Sequence, residues 1–281
     1  MRKILLGIAV VVALFSVSVS FKAKPAECSS TQFTVSISGH NLPDSMNVDI
    51  TLPQGYYNDA DSTRYPVVYL LHGHGGNNTT WGRLVNLDSL ASHYGMIFVC
   101  PDGKASWYWD APARPHIKME SFITGELIRF VDSHYRTKAD RHYRAITGLS
   151  MGGHGGLWLG IRHSDLFGTA GATSGGVDIR PWPDGWNMSE SLGAYAENKA
   201  IWDSHTVASI VKDLKPGQLN IIFDCGTEDF FYGVNCALDS ALNVSKIPHI
   251  FRTSPGAHNG TYWSKSILFQ LQYFNDVFTG Y

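Results

Sequence analysis

Short apolar segments recur along the chain, and their internal patterns separate candidate strands from candidate helices. Residues 33–38 and 48–52 alternate polar and apolar side chains, which is typical of half-exposed strands. Other segments are continuously apolar and rich in β-branched or aromatic residues, as strands buried on both faces are. These buried candidates are residues 66–71, 96–100, 143–147, 219–223 and 248–251.

Apolar side chains at helical spacing lie between these strand candidates. Residues 120–135 repeat apolar side chains along one face, and residues 264–278 close the chain with a similar amphipathic pattern. Residues 152–163 are small and apolar, which suits a helix packed tightly on a sheet. Strands that alternate with helices predict right-handed β–α–β crossovers and a doubly wound, mostly parallel sheet.

Composition supports one core and excludes some partners. Hydrophobic residues make up 44% of the 281 residues, which suffices for a single sizeable α/β domain. The formal net charge is -2, so nothing indicates a nucleic-acid partner or an electrostatic membrane anchor.

The N-terminus has the pattern of a secretory signal peptide. Arg2 and Lys3 precede an apolar run at residues 4–15, and mostly small residues follow at 16–20. The run is short for a membrane span, although an uncleaved anchor is the alternative. We expect residues 1–27 to be a signal peptide with a short N-terminal segment. The mature protein is then secreted or periplasmic, with no stable membrane span after cleavage.

The four cysteines allow two interpretations. In an oxidising compartment Cys225 and Cys236 are the best-placed pair for a disulfide. Alternatively, Cys100 and Cys225 end strand-like runs and are simply small buried residues. Cys28 lies near the expected cleavage site, and no Cys-x-x-Cys spacing indicates a metal site.

The pentapeptide Gly-Leu-Ser-Met-Gly at residues 148–152 follows a strand candidate and precedes a helix candidate. This context predicts a sharp turn that exposes the hydroxyl of Ser150 as a nucleophile. The N–H of Met151 would lie at a helix N-terminus, where it could stabilise an oxyanion. The alternative is a glycine-rich turn with an incidental serine.

A serine nucleophile needs a base, and the base needs an acidic partner. On this type of turn the acid and then the histidine follow the nucleophile along the chain. The strand candidate at 219–223 is followed by Asp224, Glu228 and Asp229, of which Asp229 lies farthest beyond the strand. His258, in a later glycine-containing loop, is the candidate base.

The second oxyanion donor should come from the loop after an earlier strand. His72-Gly-His74-Gly-Gly directly follows residues 66–71, and its glycines would let the backbone approach a substrate oxygen, with the N–H of His74 as donor. A metal site at His72 and His74 is weakly indicated, because no carboxylate or cysteine cluster accompanies them. His154 is interpreted as structural, and the chemistry requires no metal or organic cofactor.

Several motifs together resemble the esterase D-type family, which includes feruloyl and acetylxylan esterases of carbohydrate esterase family 1, S-formylglutathione hydrolases and mycobacterial mycolyltransferases. They are LLHGHGG (70–76), SWYWDAP (106–112), ITGLSMGGHGGLWLG (146–160), DCGTEDFFY (224–232) and PGAHNGTYW (255–263). The resemblance implies an α/β-hydrolase fold in which residues 28–281 form one esterase domain. It also implies Ser150 as nucleophile, Asp229 as acid and His258 as base. The family's Cys-Gly-x-x-Asp pattern matches residues 225–229 and favours Asp229 over Glu228.

Aromatic residues near these motifs are candidates for stacking on a sugar or an aromatic acyl group, although aromatic residues also fill cores. Residues 177–205, which hold two of them, are interpreted as a variable cap beside the site. The six candidates are Trp107, Trp109, Trp182, Trp186, Phe230 and Tyr232.

These observations predict an exported serine esterase that removes acetyl or hydroxycinnamoyl groups from carbohydrate or related esters. The substrate would be a small-molecule or polysaccharide ester. The alternatives are an exported acyltransferase of the mycolyltransferase type, and a non-catalytic carbohydrate-binding module on the same scaffold.

Overall fold

The computed structural model describes residues 31–280, so the predicted signal peptide and Cys28 lie outside the described residues. The strands are β1 (Gln32–Ile37), β2 (Met46–Thr51), β3 (Val67–Leu71), β4 (Ile97–Pro101), β5 (Arg144–Gly148), β6 (Thr169–Thr173), β7 (Asn220–Gly226) and β8 (Ile250–Ser254). They form one eight-stranded sheet in the order β1-β2-β4-β3-β5-β6-β7-β8. β2 pairs antiparallel with β1 and β4, and all other neighbours are parallel.

Helices cover both faces of this sheet. They are α1 (Thr80–Leu84), α2 (Leu87–Tyr94), α3 (Met119–Ser121), α4 (Ile128–His134), α5 (Met151–Arg162), α6 (Met188–Leu192), α7 (Lys199–Ser204), α8 (Val207–Ile210), α9 (Tyr232–Val244) and α10 (Gly260–Thr279). A π-helical stretch at Phe122–Leu127 joins α3 to α4, so the predicted helix at 120–135 is continuous but not α-helical throughout.

Alternation along the central strands divides the core into two layers. In β3, Tyr69 and Leu71 face the layer formed with α4, α5 and α9, whereas Val68 and Leu70 face the layer formed with α1, α2 and α10. All five residues of β3 are buried, as expected for a strand covered on both faces. The predicted single-domain, doubly wound α/β-hydrolase fold is therefore confirmed.

The strand β6 was not among the predicted strands, and its composition explains why. Its sequence, TAGAT, lacks the bulky apolar side chains that mark buried strands. Helix α5 lies so close that a β carbon on Gly156 would be 2.5 Å from the carbonyl oxygen of Gly171, and one on Gly160 would be 2.4 Å from the β carbon of Ala170. Small residues on both elements therefore permit the contact. Because such residues are only weakly hydrophobic, the strand does not appear as an apolar segment in the sequence.

The segment between β6 and β7 contains the short helices α6, α7 and α8 and corresponds to the predicted cap. Trp202 is fully buried, and its indole N–H donates to the carbonyl of Gly193 at 2.9 Å. His205 stacks on Trp158 of α5, with ring centroids 5.5 Å apart. The first contact is internal to the cap, and the second joins the cap to α5.

Cys225 and Cys236 are both free thiols in the structure, so the favoured disulfide is not formed. Cys100 and Cys225 are buried at the ends of β4 and β7, which matches the alternative interpretation. Burial raises the pKa of both the Cys100 and the Cys225 thiol. Within residues 31–280, no helix is both long enough and apolar enough to cross a bilayer.

The contact between α5 and β6 leads to a matched pair of glycine substitutions. Gly156→Ala should destabilise the protein by about 2 kcal/mol, because the new methyl group meets backbone atoms that cannot move independently. Gly233→Ala in α9 should change stability by less than about 1 kcal/mol and in the favourable direction, because no atom lies within 4 Å of its new methyl group. Urea unfolding of both variants measures this, and equal destabilisation would contradict the close-packing argument.

A second prediction concerns His154, which is fully buried on α5. Burial lowers its pKa to about 3, whereas an unfolded histidine titrates near pH ~6.5. Between these values only the unfolded chain binds the proton, so this residue makes the protein less stable as pH falls from ~6.5 towards 3. The unfolding free energy of His154→Gln should therefore fall less steeply than that of the wild type between about pH 7 and about pH 4.5. At about pH 7 the variant should be the less stable of the two proteins. Parallel curves for the two proteins would refute this linkage.

Candidate active site

Ser150 lies at the turn between β5 and α5, in a backbone conformation that side chains rarely adopt. Its φ is 58° and its ψ is −116°. A β carbon on Gly148 would lie 2.4 Å from the carbonyl oxygen of Gly152, and one on Gly152 would lie 2.2 Å from that of Leu71. The flanking glycines therefore make this tight turn possible, and they leave the Ser150 side chain partly accessible.

A continuous hydrogen-bond chain joins Ser150, His258 and Asp229. The Nε2 atom of His258 is 2.9 Å from the Oγ atom of Ser150. The Nδ1 atom is 3.0 Å and 2.8 Å from the two carboxylate oxygens of Asp229. Because an ionised carboxylate only accepts hydrogen bonds, Nδ1 carries the proton and Nε2 offers its lone pair to the serine hydroxyl.

The protein holds Asp229 and His258 in this arrangement from several sides. The Asp229 side chain is 0% exposed, and the backbone N–H of Phe231 donates to its Oδ1 atom at 2.8 Å. The rings of Phe230 and Trp263 lie 4.3 Å and 5.0 Å from the imidazole of His258. These contacts restrict the rotation of both side chains.

The two rival carboxylates do not contact His258. Glu228 is exposed and lines a separate cavity between β8 and the start of α10. Asp224 is buried and accepts hydrogen bonds from the side chains of Thr173 and Gln270, at 2.6 Å and 2.7 Å, and from Ser266. Burial raises the pKa of Asp224. Among the three candidates, the structure brings only Asp229 to the histidine.

Two backbone amides close to Ser150 along the chain or in space have no backbone partner. Met151 begins the 12-residue helix α5, and His74 lies in the loop after β3. In the described part of the chain neither amide donates to a backbone carbonyl. A β carbon on Gly73 would lie 3.2 Å from the β carbon of Ser150, so this loop passes directly beside the serine. The arrangement can hold a negatively charged oxygen.

The cap and the acid loop contribute an aromatic surface beside His258. The rings of Trp186 and Phe230 stack with centroids 5.8 Å apart, and Trp182 lies 6.2 Å from Trp186. Phe230 is 49% exposed, so part of its ring is accessible to a ligand. Tyr232 is half-buried in the first turn of α9.

The structure does not favour the stacking expected of Trp107 and Trp109. They are only 1% and 0% exposed, so no ring face is available to a ligand. The indole N–H of Trp107 points to the carbonyl of Trp186 at 3.4 Å, and that of Trp109 donates to His154 at 2.8 Å. Both are core residues beneath the site, and the indole N–H of each already has a hydrogen-bond partner inside the protein.

Sequence reasoning missed Tyr108, whose role depends on a contact between distant segments. Its hydroxyl donates to the carbonyl of His72 at 2.9 Å, directly before the loop that carries His74. The residue belongs to the motif at 106–112, which was the only available signal. Among residues 31–280, no three His, Cys, Asp or Glu side chains are grouped closely enough to hold a metal ion.

Comparisons with known proteins agree with this geometry. The model of the Esterase family matches residues 39–273. An acetyl esterase from Caldicellulosiruptor saccharolyticus is 27% identical over 234 residues, which cover 79% of this chain and 88% of that protein.

Two solved structures have the same fold. A ferulic acid esterase aligns with a TM-score of 0.77 and 25% identity, over 88% of this chain and 98% of its own. An S-formylglutathione hydrolase from Staphylococcus aureus aligns with a TM-score of 0.76 and 21% identity, over 87% of this chain and 98% of its own. The resemblance to esterase D-type proteins is thereby confirmed. The chain belongs to the Esterase family and is a carboxylic ester hydrolase with an α/β-hydrolase fold.

Proposed function

We propose that the protein hydrolyses carboxylic esters in two steps through an acyl-enzyme on Ser150, with His258 as base and Asp229 as acid. The observation that carries the proposal is the hydrogen-bond chain from Asp229 through His258 to the Ser150 hydroxyl. Each group has the partner that its role requires, and the order along the chain matches that of α/β-hydrolases.

In the first step, Ser150 attacks the ester carbonyl while the Nε2 atom of His258 takes the hydroxyl proton. The carbonyl oxygen gains negative charge, which the N–H groups of Met151 and His74 stabilise. Asp229 keeps the imidazole in the Nδ1–H tautomer and stabilises it when it becomes positively charged. The imidazolium then gives its proton to the leaving alcohol, and the acyl group stays on Ser150.

In the second step, water replaces the alcohol. His258 removes a proton from the water, which attacks the acyl carbonyl and forms a second oxyanion in the same place. The proton returns to the Ser150 oxygen as the carboxylic acid leaves. The chain's own groups supply every proton transfer in this scheme.

The proposed substrates are acetyl or hydroxycinnamoyl esters of carbohydrates or related alcohols. The exposed part of Phe230, which lies next to His258 and stacks on Trp186, offers a surface for a flat acyl group or a sugar ring. An acetyl esterase and a ferulic acid esterase are among the similar proteins. Export of residues 28–281 as the esterase domain rests on the N-terminal sequence pattern alone.

Removal of the nucleophile gives the most direct prediction. Ser150→Ala should lower the rate of p-nitrophenyl acetate hydrolysis by at least about a thousandfold, because no acyl-enzyme can form. Circular dichroism should show an unchanged fold. A fluorophosphonate probe should label the wild type and not the variant. Activity close to that of the wild type in Ser150→Ala would refute the mechanism, and failure of the wild type to react would favour a non-catalytic module.

Neighbouring carboxylates provide a matched test of the acid. Asp229→Asn should reduce kcat by at least about a hundredfold, because the amide stabilises the wrong histidine tautomer and cannot balance the imidazolium charge. Glu228→Gln, one residue away and exposed, should leave kcat within about twofold of the wild type. Steady-state kinetics on the same ester measures both. A larger loss in Glu228→Gln than in Asp229→Asn would reverse the assignment.

A further inference from the structure

We propose that Tyr108 and Trp109 are positioning residues that hold the two halves of the oxyanion site at a fixed distance from each other. The inference rests on the proposed function, since it concerns the amides of His74 and Met151. These donors lie on separate segments, one after β3 and the other after β5. Catalysis by such donors requires their placement to within about 0.5 Å, so a physical connection between the segments is needed.

The segment at residues 106–109 has an unusual backbone. Trp107 and Tyr108 have φ angles of 54° and 64°, so two consecutive bulky residues adopt the left-handed conformation. This is unfavourable for L-residues and persists only where the surroundings enforce it. The hydroxyl of Ser106 enforces it here, because it accepts from the N–H of Tyr108 at 3.0 Å and donates to the carbonyl of Gly103 at 2.6 Å.

The Tyr108 side chain connects this segment to the His74 loop. The residue is fully buried, and its hydroxyl donates to the carbonyl of His72 at 2.9 Å. Two glycines make room for the ring, since β carbons on Gly103 and Gly155 would lie 2.3 Å and 2.4 Å from its atoms. The ring therefore fills the space that side chains at these two positions would need, and its hydroxyl holds the peptide group between His72 and Gly73, directly before His74.

The Trp109 side chain connects the same segment to the nucleophile through two further groups. Its indole N–H donates to the Nε2 atom of His154 at 2.8 Å, which leaves Nδ1 to donate to the carbonyl of Gly176 at 3.1 Å. The N–H of Gly176 then donates to the carbonyl of Ser150 at 3.2 Å. This chain of hydrogen bonds holds the peptide group between Ser150 and Met151, whose N–H is the second oxyanion donor.

Because Tyr108 and Trp109 are consecutive, one short segment fixes both peptide groups. Within residues 31–280, neither side chain hydrogen-bonds directly to the side chains of Asp229, His258 or Ser150. Loss of either link should loosen the oxyanion donors while the base remains in place. The transition state should then lose more stabilisation than the bound substrate does.

Tyr108→Phe tests the first link, because it removes one buried hydroxyl and leaves the ring. We expect kcat for p-nitrophenyl acetate to fall roughly tenfold, with KM within about twofold of the wild type. The pH at half-maximal kcat should not change, and the rate of fluorophosphonate labelling should fall in parallel with kcat. Tyr69→Phe is the matched control, since Tyr69 is also fully buried and its hydroxyl interacts with the guanidinium of Arg144. Within the described residues it has no hydrogen bond to the carbonyl of His72 or of Ser150. Its kcat should equal that of the wild type.

The results distinguish failure of the positioning role from failure of the proposed function. A wild-type kcat in folded Tyr108→Phe, or an equal loss in Tyr69→Phe, overturns the positioning role while Ser150→Ala remains inactive. Activity in Ser150→Ala overturns the proposed function instead, so the two failures are distinguishable.

If Tyr108→Phe does not fold, Trp109→Phe tests the second link by removing the indole donor. A folded Trp109→Phe with unchanged kcat then refutes the inference, and a loss of kcat at constant KM supports it.

Discussion

The active site depends on how closely helix α5 can approach the sheet. Glycines at the helix start and along its inner face bring its backbone within van der Waals contact of β3, β5 and β6, where a single methyl group would meet carbonyl oxygens at 2.2–2.5 Å. At this contact the chain turns sharply at Ser150 with a positive φ, and the first N–H of the helix follows directly at Met151. Packing of the backbone therefore sets the local geometry of the two groups proposed as nucleophile and oxyanion donor.

Differences in burial separate carboxylates and histidines that are chemically similar into groups with different roles. Three carboxylates lie near the end of β7 or just beyond it. Asp224 is enclosed among hydroxyl and amide donors, Glu228 faces solvent, and only Asp229 of the three contacts His258. The histidines divide in the same way. Burial lowers the pKa of His154 to about 3, which keeps it neutral as a hydrogen-bond relay, whereas His258 is partly accessible and faces the serine. Environment, rather than residue type, separates the structural groups from those proposed to react.

Most of the fold was predictable because its strands are apolar and continuous, and because chain order in this architecture limits where an acid and a base can lie. The sequence pattern located seven of the strands to within a few residues. It did not predict β6, because close helix packing requires small residues in that strand. The reactive candidates were also found by order along the chain. The burial of Trp107 and Trp109 was not predictable, since a left-handed turn directs their side chains inward and no periodicity reveals such a turn. The link from Tyr108 to His72 likewise joins residues that are distant in sequence.

In the proposed mechanism Ser150 carries the acyl group between the two steps. This intermediate can be trapped by rapid acid quenching during turnover of a slowly hydrolysed aryl ester, followed by proteolysis and mass spectrometry. We expect one added acyl mass on the peptide that contains Ser150, and we expect it to disappear when the substrate is exhausted. The mechanism is wrong if the acyl group is found on a different residue. It is also wrong if hydrolysis is steady and deacylation is rate-limiting, yet no adduct is found at any quench time.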